Sequence, residues 1–480
     1  MKNKLNEAFD NIGDKYIAQT QHPPKKRRAL KIALIAAALA LVTAAVPVIS
    51  VMSRRNAAND TLTAETEKET EKQKDPAETV GEFKGKTGDY SGARSAVLAD
   101  LSVENVNSIK KDYKNRIAEY VEQSEKLSAF YDKLYEKLLD GNESGVVSPV
   151  NIYMALSLLA ECTDGTSRRQ ILDVLGVENI EQLREQSKLI WLNNSCDDEH
   201  GKSILANSAW IDSELPVKQQ CAEYLKNDHF ASTFNGSFKD QAYINALKQW
   251  LSDMTNGLLD NCINELEIPD NTLAVLASTL YYKARWYYEY YETEEGKFDG
   301  KPCVFNKKTR DDELIYNGDG FTAYCDSLSD GNDVWFFLPD NGKTVSDVLS
   351  SGLVSYINGG GKKYTAYDVT VRMPDFDVDY NESIIKKMAA LGIKDCMDIN
   401  AADFTPLTDA ELYVGDIIHA ARFKADKEGV EGAAYTVELL CGDAMPTPKQ
   451  KYDFNLDKPF VFVVVNHGVP LFVGCVNELK

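Results

Sequence analysis

The 480-residue chain contains no recognisable catalytic signature. It has no Gly-x-Ser-x-Gly elbow, no Gly-x-x-x-x-Gly-Lys phosphate loop, no His-Glu-x-x-His pair and no dinucleotide glycine fingerprint. Histidine is scarce: the five residues at 22, 200, 229, 419 and 467 are too dispersed to mark a metal site by spacing. No metal or cofactor is expected. The nine cysteines (162, 196, 221, 262, 303, 325, 396, 441 and 475) are odd in number and include no Cys-x-x-Cys pair. That excludes a disulfide framework or a zinc module and leaves buried or idle thiols. One nucleophile pairing survives, Cys441 with His419 upstream of it. Otherwise the chain is expected not to be an enzyme. Positive charge is also in deficit. The net charge is −21, and residues 1–55 hold ten Lys/Arg against three Asp/Glu, so the remainder carries −28. A surface that acidic would repel phosphates, so nucleic acid is excluded as a partner.

One long uncharged run is present. Lys25, Lys26, Arg27, Arg28 and Lys31 precede IALIAAALALVTAAVPVISVM (32–52), 21 residues without a charge. Such a length suffices for a helix to cross the hydrocarbon core. The basic cluster on its N-terminal side favours an inside N-terminus. The expected organisation is a basic cytoplasmic segment (1–31), an uncleaved single-pass anchor helix (32–52) and a globular domain outside the cell. A cleaved signal peptide, with Thr43-Ala44-Ala45 as the small-residue site, is the alternative. Residues 53–105, rich in Thr, Glu and Lys and poor in large apolar residues, read as a charged flexible tether.

The domain itself is expected over 106–480. LSAFYDKLYEKLLDG (127–141) places apolar residues three to four apart and stops at Gly141. SPVNIYMALSLLAEC (148–162) reads as a mostly apolar, buried helix. TSRRQILDVLG (166–176) is a short helix with Thr166 as its cap and Gly176 beyond its end. Helical patterns continue through 180–192, 217–228 and 240–254. Strand-like runs follow at 273–284, 333–339, 366–374, 417–425 and 459–465. Helices mostly first and strands mostly later point to an α+β fold with a largely antiparallel sheet.

Between the last two strands lies KEGVEGAAYTVELLCGDAMPTPKQ (427–450), far longer than most loops in compact domains. Its first half is small and apolar, a composition suited to the middle of a sheet. Side chains alternate across a strand. With Val430 inward, the inward set is Val430, Gly432, Ala434, Thr436, Glu438 and Leu440, and bulky Tyr435 falls outward among Glu431, Ala433, Val437 and Leu439.

The order of segments from about 125 to 480 resembles the serpin family, in a membrane-anchored bacterial-type form. SPVNIYMALSLLAECTDGTSRRQILDVLG is similar to the family's second and third helices, and INALKQWLSDMTNGLLDN to the helix that overlies the main sheet. TLYYKARW is similar to the central strand ending in Lys-x-x-Trp. IIHAARFKADKEGVEGAAYT resembles the strand and hinge before the reactive loop, and DKPFVFVVV with PLFVGCVNELK the last two strands. The resemblance implies helices packed on a large, mainly antiparallel sheet with two smaller sheets, and an exposed reactive loop at 427–450. It implies a monomeric protease inhibitor whose loop is cut as substrate by a serine protease, with a cysteine protease as the alternative. The acyl-enzyme is trapped as a covalent complex when the cut loop becomes a strand. The hinge would be Gly429, Val430, Glu431, Gly432, Ala433, Ala434 and Thr436, and the reactive bond Asp443–Ala444, with Met445 as the alternative. A buried polar cluster under the sheet would comprise Ser148, Asn151, Ser278 and His419. Three departures stand out, the first being Gly432 where the family usually has alanine, which adds backbone freedom. Lys427 occupies a place that is usually acidic, and Glu438 would face the core late in insertion. A non-inhibitory serpin used as a cell-surface binding or adhesion module is the second reading.

Overall fold

The computed structural model describes residues 41–53, 90, 93, 95–97, 116–197, 200–427 and 450–479. The strands are β1 (Leu41–Ser53), β2 (Ser95–Val97), β3 (Gly145–Val147), β4 (Cys196–Asp197), β5 (Gly201–Asp212), β6 (Ala231–Gly236), β7 (Thr272–Ala284), β8 (Glu292–Phe298) and β9 (Lys301–Asn317). They continue as β10 (Phe321–Ser327), β11 (Asp333–Pro339), β12 (Lys363–Pro374), β13 (Phe376–Ser383), β14 (Leu412–Ala425), β15 (Lys451–Asn455), β16 (Phe460–Asn466) and β17 (Val469–Val476). The helices are α1 (Ile117–Leu138), α2 (Pro149–Cys162), α3 (Gly165–Leu175), α4 (Ile180–Asn193), α5 (Gln219–Asp228), α6 (Gln241–Met254), α7 (Asp260–Glu265), α8 (Val345–Leu349), α9 (Leu353–Asn358) and α10 (Ile385–Leu391).

The main sheet has the strand order β13-β14-β1-β7-β5-β6-β2, with β4 pairing β5. Its pairs are antiparallel except β5 with β6. The second sheet runs β15-β12-β9-β10-β11-β16-β17-β3, with β8 on β9. The two smaller sheets expected from the sequence are thus one hydrogen-bonded sheet among the described residues. The 17-residue β9 is long enough to pair β8 and β12 along its first half and β10 and β12 along its second.

Helix α2 explains its own composition. Every one of its 14 residues is buried, because it packs against β7 of the main sheet and β17 of the second. A helix covered on all sides has no use for a polar face. It opens on Ser148 with Pro149 in the first turn, where the missing N–H costs nothing. Gly176, in the left-handed region at φ +72°, closes α3 as expected, although the residue before its first turn is Asp164 and not Thr166. On the opposite face of the main sheet lies α6. Its Trp250, Leu251 and Met254 cover a separate apolar layer made by β1, β5 and β7.

The largest correction concerns the uncharged run 32–52. Residues 41–53 are a strand, β1, in the interior of the main sheet, paired on both sides; residues 32–40 lie outside the described residues. Among the described residues no helix is long and apolar enough to cross a membrane. The single-pass anchor helix over 32–52 is therefore overturned, and with it the outside placement and the membrane contact that rested on that helix. The physical reason is local and tertiary together. Val42, Thr43, Val46, Val48, Ile49 and Val51 are β-branched and suit a pleated surface. Pro47 interrupts a helix in the same stretch. The edges of β7 and β14 supply the backbone partners that a lone apolar segment lacks. Within the stretch read as a tether, β2 pairs with β6 at the far side of the sheet, and Tyr90 packs edge-on against Phe234 with ring centroids 5.8 Å apart.

Candidate functional site: a strand position between β7 and β14

Strands β7 and β14 stand one strand apart, and β1 fills the interval antiparallel to both. In this register Thr43 faces Phe423, Pro47 faces His419, and Val48 lies between Ile418 and Ala277. Alternation divides β1 cleanly. Ile49 and Val51 enter the main core, whereas Ala44, Val46 and Val48 face the apolar layer under α6. Gly415 of β14 makes room for Met52, since a Cβ there would collide with the methionine thioether.

Beneath this position lies the polar cluster. The Asn151 amide nitrogen donates to Ser278 Oγ at 2.8 Å, joining α2 to β7. The Ser148 backbone N–H donates to His419 Nε2 at 3.2 Å, joining the start of α2 to β14. All four residues are fully buried. Because Nε2 accepts, the ring proton belongs on Nδ1, which has no partner among the described residues; nor does Ser148 Oγ. Burial pushes the His419 imidazole down to about 3, so the ring is neutral at ordinary pH. A neutral, buried histidine with this contact is a structural element of the sheet. Its supposed partner Cys441 lies outside the described residues.

At the end of β7 where β14 leaves the sheet, Trp286 Nε1 donates to the carbonyl of Asp426 at 2.8 Å. The indole also packs edge-on against Tyr290, centroids 5.5 Å apart. Lys308 of β9 lies under both rings, 4.2 Å from the centre of Tyr290, and bonds both carboxylate oxygens of Asp326 at 2.7 Å. Tyr290 Oη donates to the same carboxylate at 2.9 Å. Lys308 is completely buried, and that burial pushes its ammonium down while Asp326 opposes the change. Lys308, Asp326 and the Asp426 carbonyl went unread in the sequence. Nothing in the polar run of β9 distinguishes the lysine that turns inward, and a backbone carbonyl carries no side-chain signature. The Lys-x-x-Trp ending of β7 was the available signal for this corner.

On the other side of β14, Arg422 grips Asp377 of β13 through two bonds of 3.0 and 2.8 Å, with Lys424 at 3.1 Å. Burial would raise the Asp377 carboxyl, but the two cations outweigh it and hold it below the usual range. The clamp fixes β14 to β13. The hinge residues Gly429, Val430, Glu431, Gly432, Ala433, Ala434 and Thr436, with Glu438 and the bond at Asp443, Ala444 and Met445, lie outside the described residues. Their flanks, Lys427 and Gln450, bracket them.

Comparison with known proteins gives the class. The family model described as Serpin (serine protease inhibitor) matches residues 125–479. Serpin-ZX of Arabidopsis thaliana is 27% identical over 365 residues, covering 70% of this chain and 92% of the relative. An uncharacterised serpin-like protein of Methanosarcina acetivorans is 23% identical over 410 residues, covering 80% and 93%. Among solved structures, the thermophilic serpin tengpin in its native state superposes with a TM-score of 0.63 at 21% identity, covering 75% of this chain and 94% of tengpin. Arabidopsis AtSerpin1 in its native stressed conformation gives 0.61 at 24% identity, covering 75% and 98%. The chain belongs to the serpin family, a family of protease inhibitors whose partners are proteases.

Proposed function

We propose that the chain inhibits serine-type endopeptidases by offering the segment 427–450 as substrate and drawing its cut end into the main sheet. The observation that carries this reading is the strand-wide position between β7 and β14, which accepts a segment antiparallel to both. A loop leaving the end of β14 and turning back arrives in that orientation. The protease serine attacks the carbonyl carbon of Asp443 and expels the amine of Ala444, leaving an ester between enzyme and loop. Strand formation by residues 430–440 then carries the esterified enzyme away before water can complete hydrolysis. The energy comes from burying the small and apolar hinge residues and pairing their backbone. Asp443 favours proteases that accept an acidic side chain, and cleavage after Ala444 or Met445 points to other specificities. The protein acts as a monomer and without cofactor.

Incubation with serine proteases of acidic, elastase-like and subtilisin-like specificity, followed by denaturing electrophoresis, tests this. A detergent-stable complex and a released C-terminal peptide beginning at Ala444 are expected. Cleavage without any complex, in the full chain and in Ile49→Asp, whose β1 is weakened, would contradict it.

The second reading, a non-inhibitory serpin acting as a binding module, is favoured by one observation. The strand position is already occupied by β1.

A further inference from the structure

We infer that residues 41–53 are a tethered competitor of the reactive loop: an intramolecular strand ligand that must leave the β7–β14 position before the loop can enter. The inference deepens the inhibitor reading and rests on it for its consequence, but not for the occupancy itself.

Three observations carry it. First, the position holds one strand, and β1 is hydrogen-bonded to both neighbours along most of its 13 residues. Two segments cannot share it.

Second, β1 matches the loop in sequence once the register is aligned. Thr43 faces Phe423, so two steps further Leu41 comes level with Ala425. A four-residue turn over 426–429, an ordinary hairpin length, would bring Val430 level with the same residue. Val430 then takes the place of Leu41, and TAAVPVI (43–49) superposes on GAAYTVE (432–438). Ala44 and Ala45 coincide with Ala433 and Ala434, and Val48 with Val437. The inward parity agrees as well. Glu438 falls on the place of Ile49, which is fully buried, and Leu440 on that of Val51. The competitor thus puts an aliphatic side chain where the loop would bury a carboxylate, and burying an unpaired carboxylate is strongly unfavourable.

Third, β1 has a seat and a weak point. Gly415 accommodates Met52. Pro47 lies in an interior strand, where a proline removes a ladder hydrogen bond and is ordinarily found only at edges. The pairing of β1 with β7 is interrupted there, between Ala45 and Val48. The 41 residues between Ser53 and Ser95 could span well over ~100 Å fully extended, whereas β1 and β2 are four strand spacings apart, roughly 20 Å. The tether therefore does not prevent withdrawal.

The test uses the full chain with Ser50→Cys and Val275→Cys, which replace facing residues of β1 and β7. Under mild oxidation a disulfide joining these positions is expected by peptide mapping, with none in either single variant. The oxidised protein should trap no protease, and reduction should raise the trapped fraction by more than about tenfold. A synthetic peptide of residues 430–440 provides a readout independent of any protease. It should co-elute with the Ile49→Asp variant and not with the wild type or the oxidised double variant. Introduced thiols that stay free, or peptide uptake equal in wild type and Ile49→Asp, overturn the inference. Disulfide formation with selective peptide uptake but no trapping in any form sustains the occupancy and overturns the inhibitor reading instead.

Discussion

Pro47 of β1 lies directly opposite His419 of β14, at the level where Ser148 holds the histidine from below. An interior strand thus lacks a backbone donor at the one level where the sheet is also underpinned by a polar cluster. Replacing the proline with valine restores the donor and keeps a β-branched, apolar side chain. Pro47→Val should raise unfolding stability by about 1 kcal/mol, the net worth of one hydrogen bond. Denaturant unfolding reads it, and an unchanged or lowered midpoint counts against the pairing of β1.

The Asn151 amide nitrogen donates to Ser278 Oγ at 2.8 Å, coupling helix α2 to β7. Asn151→Ser shortens the donor and should cost about 1–3 kcal/mol by leaving a buried polar group unsatisfied. Adding Ser278→Asn should recover part of the loss. Strict additivity in the double-mutant cycle would show that the two side chains are not coupled.

His419 sets a pH dependence. Its folded-state value lies near 3, far below the usual 6.5, so the unfolded chain binds a proton that the folded chain does not. Stability is full above pH 6.5 and falls as the pH drops through that value towards 3, by about 1.4 kcal/mol per pH unit. Glu161 contributes only at lower pH. Burial would raise its carboxyl, but Arg184 and His229 hold it down to about 2 from 4.5. The interval from 6.5 to 4.5 therefore isolates the histidine from that carboxylate. His419→Gln should flatten the slope there, and equal slopes in both proteins would contradict the assignment.

Lys308 and Asp326 form a buried ion pair next to the Trp286 corner. Lys308→Met leaves the Asp326 charge buried without its partner and should cost about 3–5 kcal/mol. The double variant Lys308→Met/Asp326→Asn should recover much of this. If the single lysine variant is neutral in chemical denaturation, the pair does not hold the corner.

The legible parts of the fold were the sustained apolar or amphipathic runs that open on turn or capping residues. The helices at 148–162, 180–192 and 240–254 and the strands at 273–284 and 333–339 lie within a residue or two of their observed limits, with Ser148, Asn179, Asp240, Asn271 and Asn332 at or just before their starts. β1 was misread although it too is apolar. A 21-residue run without charge satisfies a membrane helix by length alone, and only the pairing edges of β7 and β14, distant in sequence, turn its second half into a strand. The three-residue β2 is too short to show a period. Asn151, Ser278, Ser148 and His419 could be named through the family resemblance, but no local pattern places residues 148 and 419 in contact. Lys308 reads as one more surface lysine until Asp326 and Tyr290 are folded over it.

The most direct measurement is the fate of protease on the Thr436→Arg variant, made in the Ile49→Asp background so that β1 does not mask the outcome. Thr436 belongs to the inward set of the loop, and a guanidinium cannot be accommodated unpaired inside the sheet. The parent protein should form a detergent-stable complex, and the arginine variant should be cut at the same bond and release active protease. If the arginine variant traps protease as well as its parent, or if neither ever does, strand insertion between β7 and β14 is not how this protein works.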